Sequence, residues 1–195
     1  MIQPITKERW QEAQIAEAGY HANAHATAEH YRRSYECYFK YLGMSFDQKG
    51  NTICEVGPAE FPALSYCENV KGIIIEPLES KTLTAIVLLR GFAWIKQPLE
   101  DVHLRDLPQA NEVWLLNVMQ HVRDPETFIV KCKQIAPVIR FFEPIDFGTS
   151  DCHPHTYSID DFIRWFGHAE RYKGGSEEGF HTADCAYGTW KREAV

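Results

Sequence analysis

The sequence predicts an α/β fold: a doubly wound, mostly parallel seven-stranded sheet, with an antiparallel hairpin at its C-terminal end and a helical lid ahead of it. Three observations predict this. From residue 51 onward, apolar strand-like runs alternate with helical stretches, the order that builds βαβ units. Runs such as GIIIE, VWLL and VIRFF are apolar almost throughout, as strands buried on both faces are. The last two β-rich runs have no helix between them, which makes them an antiparallel pair at one edge.

The first forty residues read as helical. Thr6 stands as N-cap before KERWQEAQIAEAGYH, where Trp10, Ala13, Ala16 or Glu17, and Tyr20 recur at helical spacing. A second helix sets Tyr31, Tyr35, Tyr38, Phe39 and Leu42 on one face and ends at Gly43. Between them, HANAHATAEH favours helix but lacks an apolar stripe, which suits a segment lying over a site. Residues 1–45 are therefore expected as a helical extension or lid and residues 46–195 as the core, one domain overall. Its aromatic helices have two destinations, the protein's own interior or a second copy in a homodimer.

In the core, NTICEVG is the first strand, with a helix near 60–69 after it. KGIIIEP is the second, with a helix near 78–90. FAWIKQP is the third and, after a linker, EVWLLNV the fourth. DPETFIVKCKQIA then opens with Asp124 as N-cap and Pro125 at the first helical position, a strong start signal. VIRFFEPID is the fifth strand. SIDDFIRWFG follows as a helix capped by Ser158, with Phe162, Trp165 and Phe166 inward and Gly167 as its stop. AERYKGG and FHTADCAYGTWKRE close the chain as strands.

Bulk properties narrow the function. A chain of 195 residues is long enough for a full core, and 45% apolar with 24% charged residues is ordinary for a soluble globular protein. A net charge of −7 and the lack of a basic stripe argue against a nucleic-acid duplex as partner. No apolar run approaches a membrane span, so no membrane partner is expected. MIQPITKERW lacks the layout of a signal peptide. Six scattered cysteines without a CxxC read as reduced thiols of a cytoplasmic protein.

Ligands of doubly wound sheets bind beyond the carboxyl ends of the strands. In ICEVGPAEF, residues 53–61, Gly57 ends the first strand, and the missing side chain lets a ligand lie against the main chain. Glu76 closes the second strand 76 − 57 = 19 residues later, where an acid is placed for the two hydroxyls of a ribose. Glu55 and Glu76 then flank a groove for a nucleoside, and Glu55 also suits a cationic group. Only one glycine of a dinucleotide fingerprint is present, and Pro58 removes an N–H that a pyrophosphate would use. NAD and FAD are therefore poor candidates. A nucleoside without phosphates asks less of the turn.

CEVGPAEFPAL, IIIEPL, NEVWLLNVMQHVRDP and HPHTYSIDDFIRWFG, taken together over about residues 50–170, resemble the class I S-adenosylmethionine-dependent methyltransferases. ERWQEAQ is also similar to the lead-in helix of some small-molecule members. The resemblance implies a Rossmann-like methyltransferase fold, S-adenosylmethionine as cofactor and S-adenosylhomocysteine as product. It places Glu55, Gly57, Pro58 and Ala59 at the methionine part of the cofactor. Glu76 matches the ribose acid, with Pro77 and Leu78 near the adenine. Glu100 or Asp101 would meet the adenine amino group, and Asn117, Val118 and Met119 match the fourth-strand end. The turn departs from the family's in carrying Ala59 and Phe61 instead of further glycines.

A methyltransferase with little beyond its core sheet suits a small-molecule acceptor such as a sugar, metabolite or nucleotide, and O-methylation is slightly favoured. The candidate bases are His121, beyond the fourth strand, and His153 and His155, beyond the fifth. Glu143 faces the same rim, and Tyr20 and His21 are placed to close over an acceptor. Each has a plainer reading, from solvated strand end to loop-ordering histidine. An H-x-H pair also invites a metal, but too few ligands lie nearby and Pro154 bends the segment, so none is expected. The competing function is a non-catalytic scaffold that kept the fold and binds cofactor or a partner.

Overall fold

A computed structural model describes residues 2–23, 27–176 and 182–193, with the side chains of residues 21–23 outside the description. Strands β1 (Thr52–Val56), β2 (Lys71–Ile75), β3 (Ala93–Ile95), β4 (Glu112–Leu116), β5 (Val138–Pro144), β6 (Glu170–Tyr172) and β7 (Cys185–Lys191) form one sheet. Its order is β3-β2-β1-β4-β5-β7-β6. β1 to β5 run parallel, and β7 pairs antiparallel with both β5 and β6. The order reverses at β1, whose Val56 lies opposite Ile75 on one side and Leu115 on the other. That is the crevice where this architecture binds ligands.

Alternation along the strands separates two cores. Cys54, Val56, Val113, Leu115, Ile139 and Phe141 face α4 (Pro125–Ile135) and α5 (Ile159–Phe166). Ile53, Ile74, Trp114, Leu116 and Phe142 face α2 (Ala28–Leu42) and α3 (Lys81–Arg90). The helix ends follow local chemistry. Asp124 accepts from the Thr127 N–H ahead of Pro125, Ser158 and Asp161 form a capping box, and Gly43 and Gly167 turn left-handed to close α2 and α5.

Two expected elements take other forms. The helix near 60–69 is one 3-10 turn, Ala63–Tyr66, because Pro58 and Pro62 lack the N–H groups a longer helix needs and Glu55 takes those of Ala63 and Leu64. Helix α2, read as part of an extension, instead covers a sheet face, burying Tyr35, Tyr38, Phe39 and Leu42. Helix α1 (Lys7–Asn23) lies across the strand ends, its Trp10 donating to the His121 carbonyl after β4. All six cysteines are free, and no helix among the described residues is long and apolar enough to cross a membrane.

Candidate functional site

A narrow groove opens at the carboxyl ends of β1, β2 and β4, with a cavity volume of about 50 Å³. Val56, Ile75, Leu99, Val122 and Phe128 give it apolar walls, and Gly57, Glu76, Pro77, Glu100, Val118 and His121 form its rim. Helix α1 contributes Trp10, Gln14 and Glu17. Of the residues named from the sequence, the structure thus brings Gly57, Glu76, Pro77, Glu100, Val118 and His121 together.

Rim glutamates hold the loops by their main-chain N–H groups. Glu76 Oε2 accepts from Ala59 N (3.1 Å) and Oε1 from Leu78 N (2.8 Å), so one carboxylate ties the turns after β1 and β2. Burial pushes its carboxyl up to about 7 against the pull of the Leu78 N–H, and the charge of Glu17 adds to the rise. Glu100 Oε1 accepts from Arg123 N (2.7 Å), whereas Asp101 turns outward to pair with the Arg123 guanidinium. The sequence left Glu100 and Asp101 open; it is Glu100 that lines the groove.

Other predicted residues lie behind this surface. Glu55 points to the α2 side, where its oxygens accept from Ala63 N (2.8 Å) and Leu64 N (2.9 Å). Glu143 is fully buried beneath the β4 loop and accepts from Val118 N and Met119 N. Burial pushes both carboxyls up to about 7, while those N–H bonds hold them down. Gly57, at φ +66, is packed so closely that an added Cβ would stand 2.1 Å from Val118 Cγ2. Pro58, Ala59 and Leu78 belong to the clamped turns, and Ala59 and Asn117 adopt positive φ of 52 and 66. Tyr20 is exposed and outside the groove lining, and the His21 side chain lies outside the described residues.

The histidines part company. His121 Nδ1 lies 3.2 Å from Glu17 Oε2 and 3.1 Å from the Cys152 carbonyl. Burial pushes this imidazole down, but the Glu17 charge and hydrogen bond outweigh it and the net shift is upward. His153 packs edge-on against His121 at 4.7 Å, and burial, then the His121 charge, push it down to about 4. His155 lies away from the groove beside Tyr157 and is pushed down by burial. Among the described residues, no group of three or more His, Cys, Asp or Glu side chains is arranged to hold a metal.

Sequence reading passed over Glu17 as a groove residue, although helical spacing placed it one turn before Tyr20. Its partner, 121 − 17 = 104 positions away, has no local signal. Helix α1 is fixed across the rim by other long-range bonds: Trp10 Nε1 to the His121 carbonyl (3.0 Å), and Arg9 to the Ser150 and Asp151 carbonyls (2.8 and 2.9 Å).

No protein-family model and no curated protein matches the sequence. Solved structures do. Over 100% of this chain and 94% of the other, the chain is similar to a Burkholderia thailandensis 1,6-didemethyltoxoflavin-N1-methyltransferase with bound 1,6-didemethyltoxoflavin and S-adenosylhomocysteine, at 10% identity and TM-score 0.67. The N-methyltransferase NodS of Bradyrhizobium japonicum, in complex with S-adenosylhomocysteine, is similar over 73% of this chain and 78% of its own, at 14% identity and TM-score 0.55. A SAM-dependent methyltransferase from Aquifex aeolicus is similar over 80% and 88%, at 17% identity and TM-score 0.56. At these identities the likeness is one of fold, and the chain has the fold of the S-adenosylmethionine-dependent methyltransferases.

Proposed function

We propose that this chain is an S-adenosylmethionine-dependent methyltransferase of the cytoplasm acting on a small-molecule acceptor. The observation that carries the reading is Glu76 at the carboxyl end of β2, beside the turn after β1. Each of its oxygens accepts one main-chain N–H. A carboxylate oxygen has a second lone pair, so Glu76 can clamp two turns and still accept from the vicinal hydroxyls of a ribose. In this reading Pro77, Leu78, Leu99 and Phe128 enclose the base, Glu100 meets its amino group, and the turns at 57–59 and 117–119 border the methionine part. When bound, the cofactor supplies a methyl group already activated by its sulfonium. The full-length likeness to a structure holding a small heterocycle supports a small acceptor.

The chain's own task is to orient the acceptor, exclude water and remove a proton. His121 is the assigned base. Both groups at its Nδ1 are acceptors, a carboxylate and a carbonyl, so the neutral ring keeps its proton there. Its Nε2 makes no hydrogen bond among the described residues and is left as the proton acceptor. An acceptor hydroxyl needs such a group. His153 packs on this ring and orients it.

The decisive measurement is binding of S-adenosylhomocysteine by calorimetry, with Glu76→Ala beside the wild type. Micromolar binding that weakens by about a hundredfold in the variant is expected, since hydrogen bonds to a charged group are worth ~1.5–3 kcal/mol each. A well-folded wild type that takes up neither this compound nor S-adenosylmethionine would sink the reading. It would favour the scaffold alternative, which one observation supports: Pro58 has no N–H, and those of Gly57 and Ala59 are already spent on Ile75 and Glu76.

A further inference from the structure

Lys131 of α4 is a buried cation outside the groove lining. Its Nζ donates to three main-chain carbonyls of the turn after β3, those of Leu99 (3.2 Å), Glu100 (2.6 Å) and Val102 (2.6 Å). An ammonium has three hydrogens, so all are committed to this one turn, and no carboxylate is among their partners. A charge is buried at tolerable cost only when its hydrogen bonds are complete in this way.

The turn it grips carries Glu100, and the Glu100 side chain is fixed from the same helix. Its Oε1 accepts from Arg123 N (2.7 Å) and Asp124 N (3.3 Å), at the start of α4. Its Oε2 accepts no hydrogen bond among the described residues and is left for a ligand of the groove that Glu100 lines. Asp124, Phe128 and Lys131 recur at i, i+4 and i+7, one face of α4. That face supplies an N–H to the Glu100 carboxylate, a ring to the groove wall and an ammonium to the Glu100 main chain.

We propose that Lys131 is a positioning residue for the base of the cofactor: by holding the main chain around Glu100, it keeps that carboxylate where it accepts from an exocyclic amino group and rejects a ring carbonyl. The proposal rests on the cofactor reading above, in which Glu100 meets the adenine amino group. A fixed acceptor discriminates, because a base with oxygen at that position sets a lone pair against the carboxylate. A loose one does not, because it can swing to the neighbouring ring N–H that hypoxanthine carries and adenine lacks. The acid alone therefore does not make the site selective. Its rigidity does, and Lys131 supplies that rigidity from behind the groove.

The test is calorimetric and needs no acceptor. It compares the dissociation constants of S-adenosylhomocysteine and S-inosylhomocysteine, its hypoxanthine analogue. The wild type should bind the adenine compound about tenfold tighter or more, the size expected of one hydrogen bond to a charged group. Lys131→Met, of similar volume and checked by circular dichroism, should bring the two affinities within about threefold of each other, chiefly by weakening the adenine compound. Lys131→Gln, which keeps two N–H donors, should fall between the two, and it carries the comparison if the methionine variant does not fold. Glu100→Gln, whose amide serves either base, should abolish the preference, and adding Lys131→Met to it should change the ratio no further, because Lys131 acts through Glu100. A preference undiminished in the Lys131 variants, or a further change of ratio in the double variant, would overturn the proposal. Equal affinities in the wild type would overturn it while leaving the cofactor reading intact. Binding of neither compound would overturn both.

Discussion

Glu55, Glu76 and Glu143 each spend a buried carboxylate on main-chain N–H groups, and the cost appears in their titration. All three are pushed by burial from 4.5 up to about 7. Between those values the folded chain binds more protons than the unfolded one, so stability falls as pH rises through the window. His121, shifted upward, acts in the same direction: its contribution is present below the ordinary histidine value and is lost as pH rises through the folded value. His153 and His155, shifted downward, oppose this only below about 6.5. The melting temperature should therefore fall between about pH 6.5 and pH 8; calorimetric scans that rise across this interval would contradict the assignment. Packing gives a second prediction. Gly57→Ala must place a methyl against Val118 in left-handed backbone, at a cost of about 2–4 kcal/mol in urea unfolding. Adding Val118→Ala should recover the steric part and leave the backbone part. From the sequence, Gly57 and Glu76 were legible because both close apolar runs. The partners of Glu55 and Glu143 were not, since those N–H groups reach the carboxylates only once the turns have folded.

Elements defined by their own ends were the legible ones. Thr6 accepts from Arg9 N, Asp124 from Thr127 N, and Gly43 and Gly167 close their helices, all as local composition indicated. Asp124→Ala should accordingly cost about 1 kcal/mol, read as a lower urea midpoint at unchanged slope. The 3-10 turn at Ala63–Tyr66 was misread because a tertiary carboxylate, rather than propensity, decides its N–H partners. Helix α1 differs from the rest in how it is held. It buries little beyond Ala13 and Gln14 and depends on Trp10, Arg9 and Glu17 reaching across the rim. Such an element opens at lower free energy than the sheet. Trp10→Ala should speed amide hydrogen exchange across 7–23 while β1 and β4 keep their protection. Equal acceleration in the strands would mean that α1 belongs to the core.

Ligand binding and topology set the behaviour of the whole chain. A compound held only by the folded state at a hundred times its dissociation constant adds about 2.7 kcal/mol, which for this size raises the melting temperature by about 5–10 °C. S-adenosylmethionine should give that rise in a thermal melt, and a flat response would count against occupancy of the groove. The α/β class and the parallel strand series were readable from apolar runs alone. The position of β7 was not, because pairing across 191 − 138 = 53 residues leaves no periodicity to read. That position matters during synthesis. β7 is made after every other strand among the described residues yet lies inside the sheet, between β5 and β6, and its Tyr187 joins Tyr41 of α2, Phe142 and Tyr172 in one aromatic cluster. Until β7 leaves the ribosome, β5 has an open hydrogen-bonding side and α2 has rings without their cover. A nascent chain of this protein is thus a client for chaperones until β7 is in place, and a chain truncated before Cys185 should yield only insoluble product.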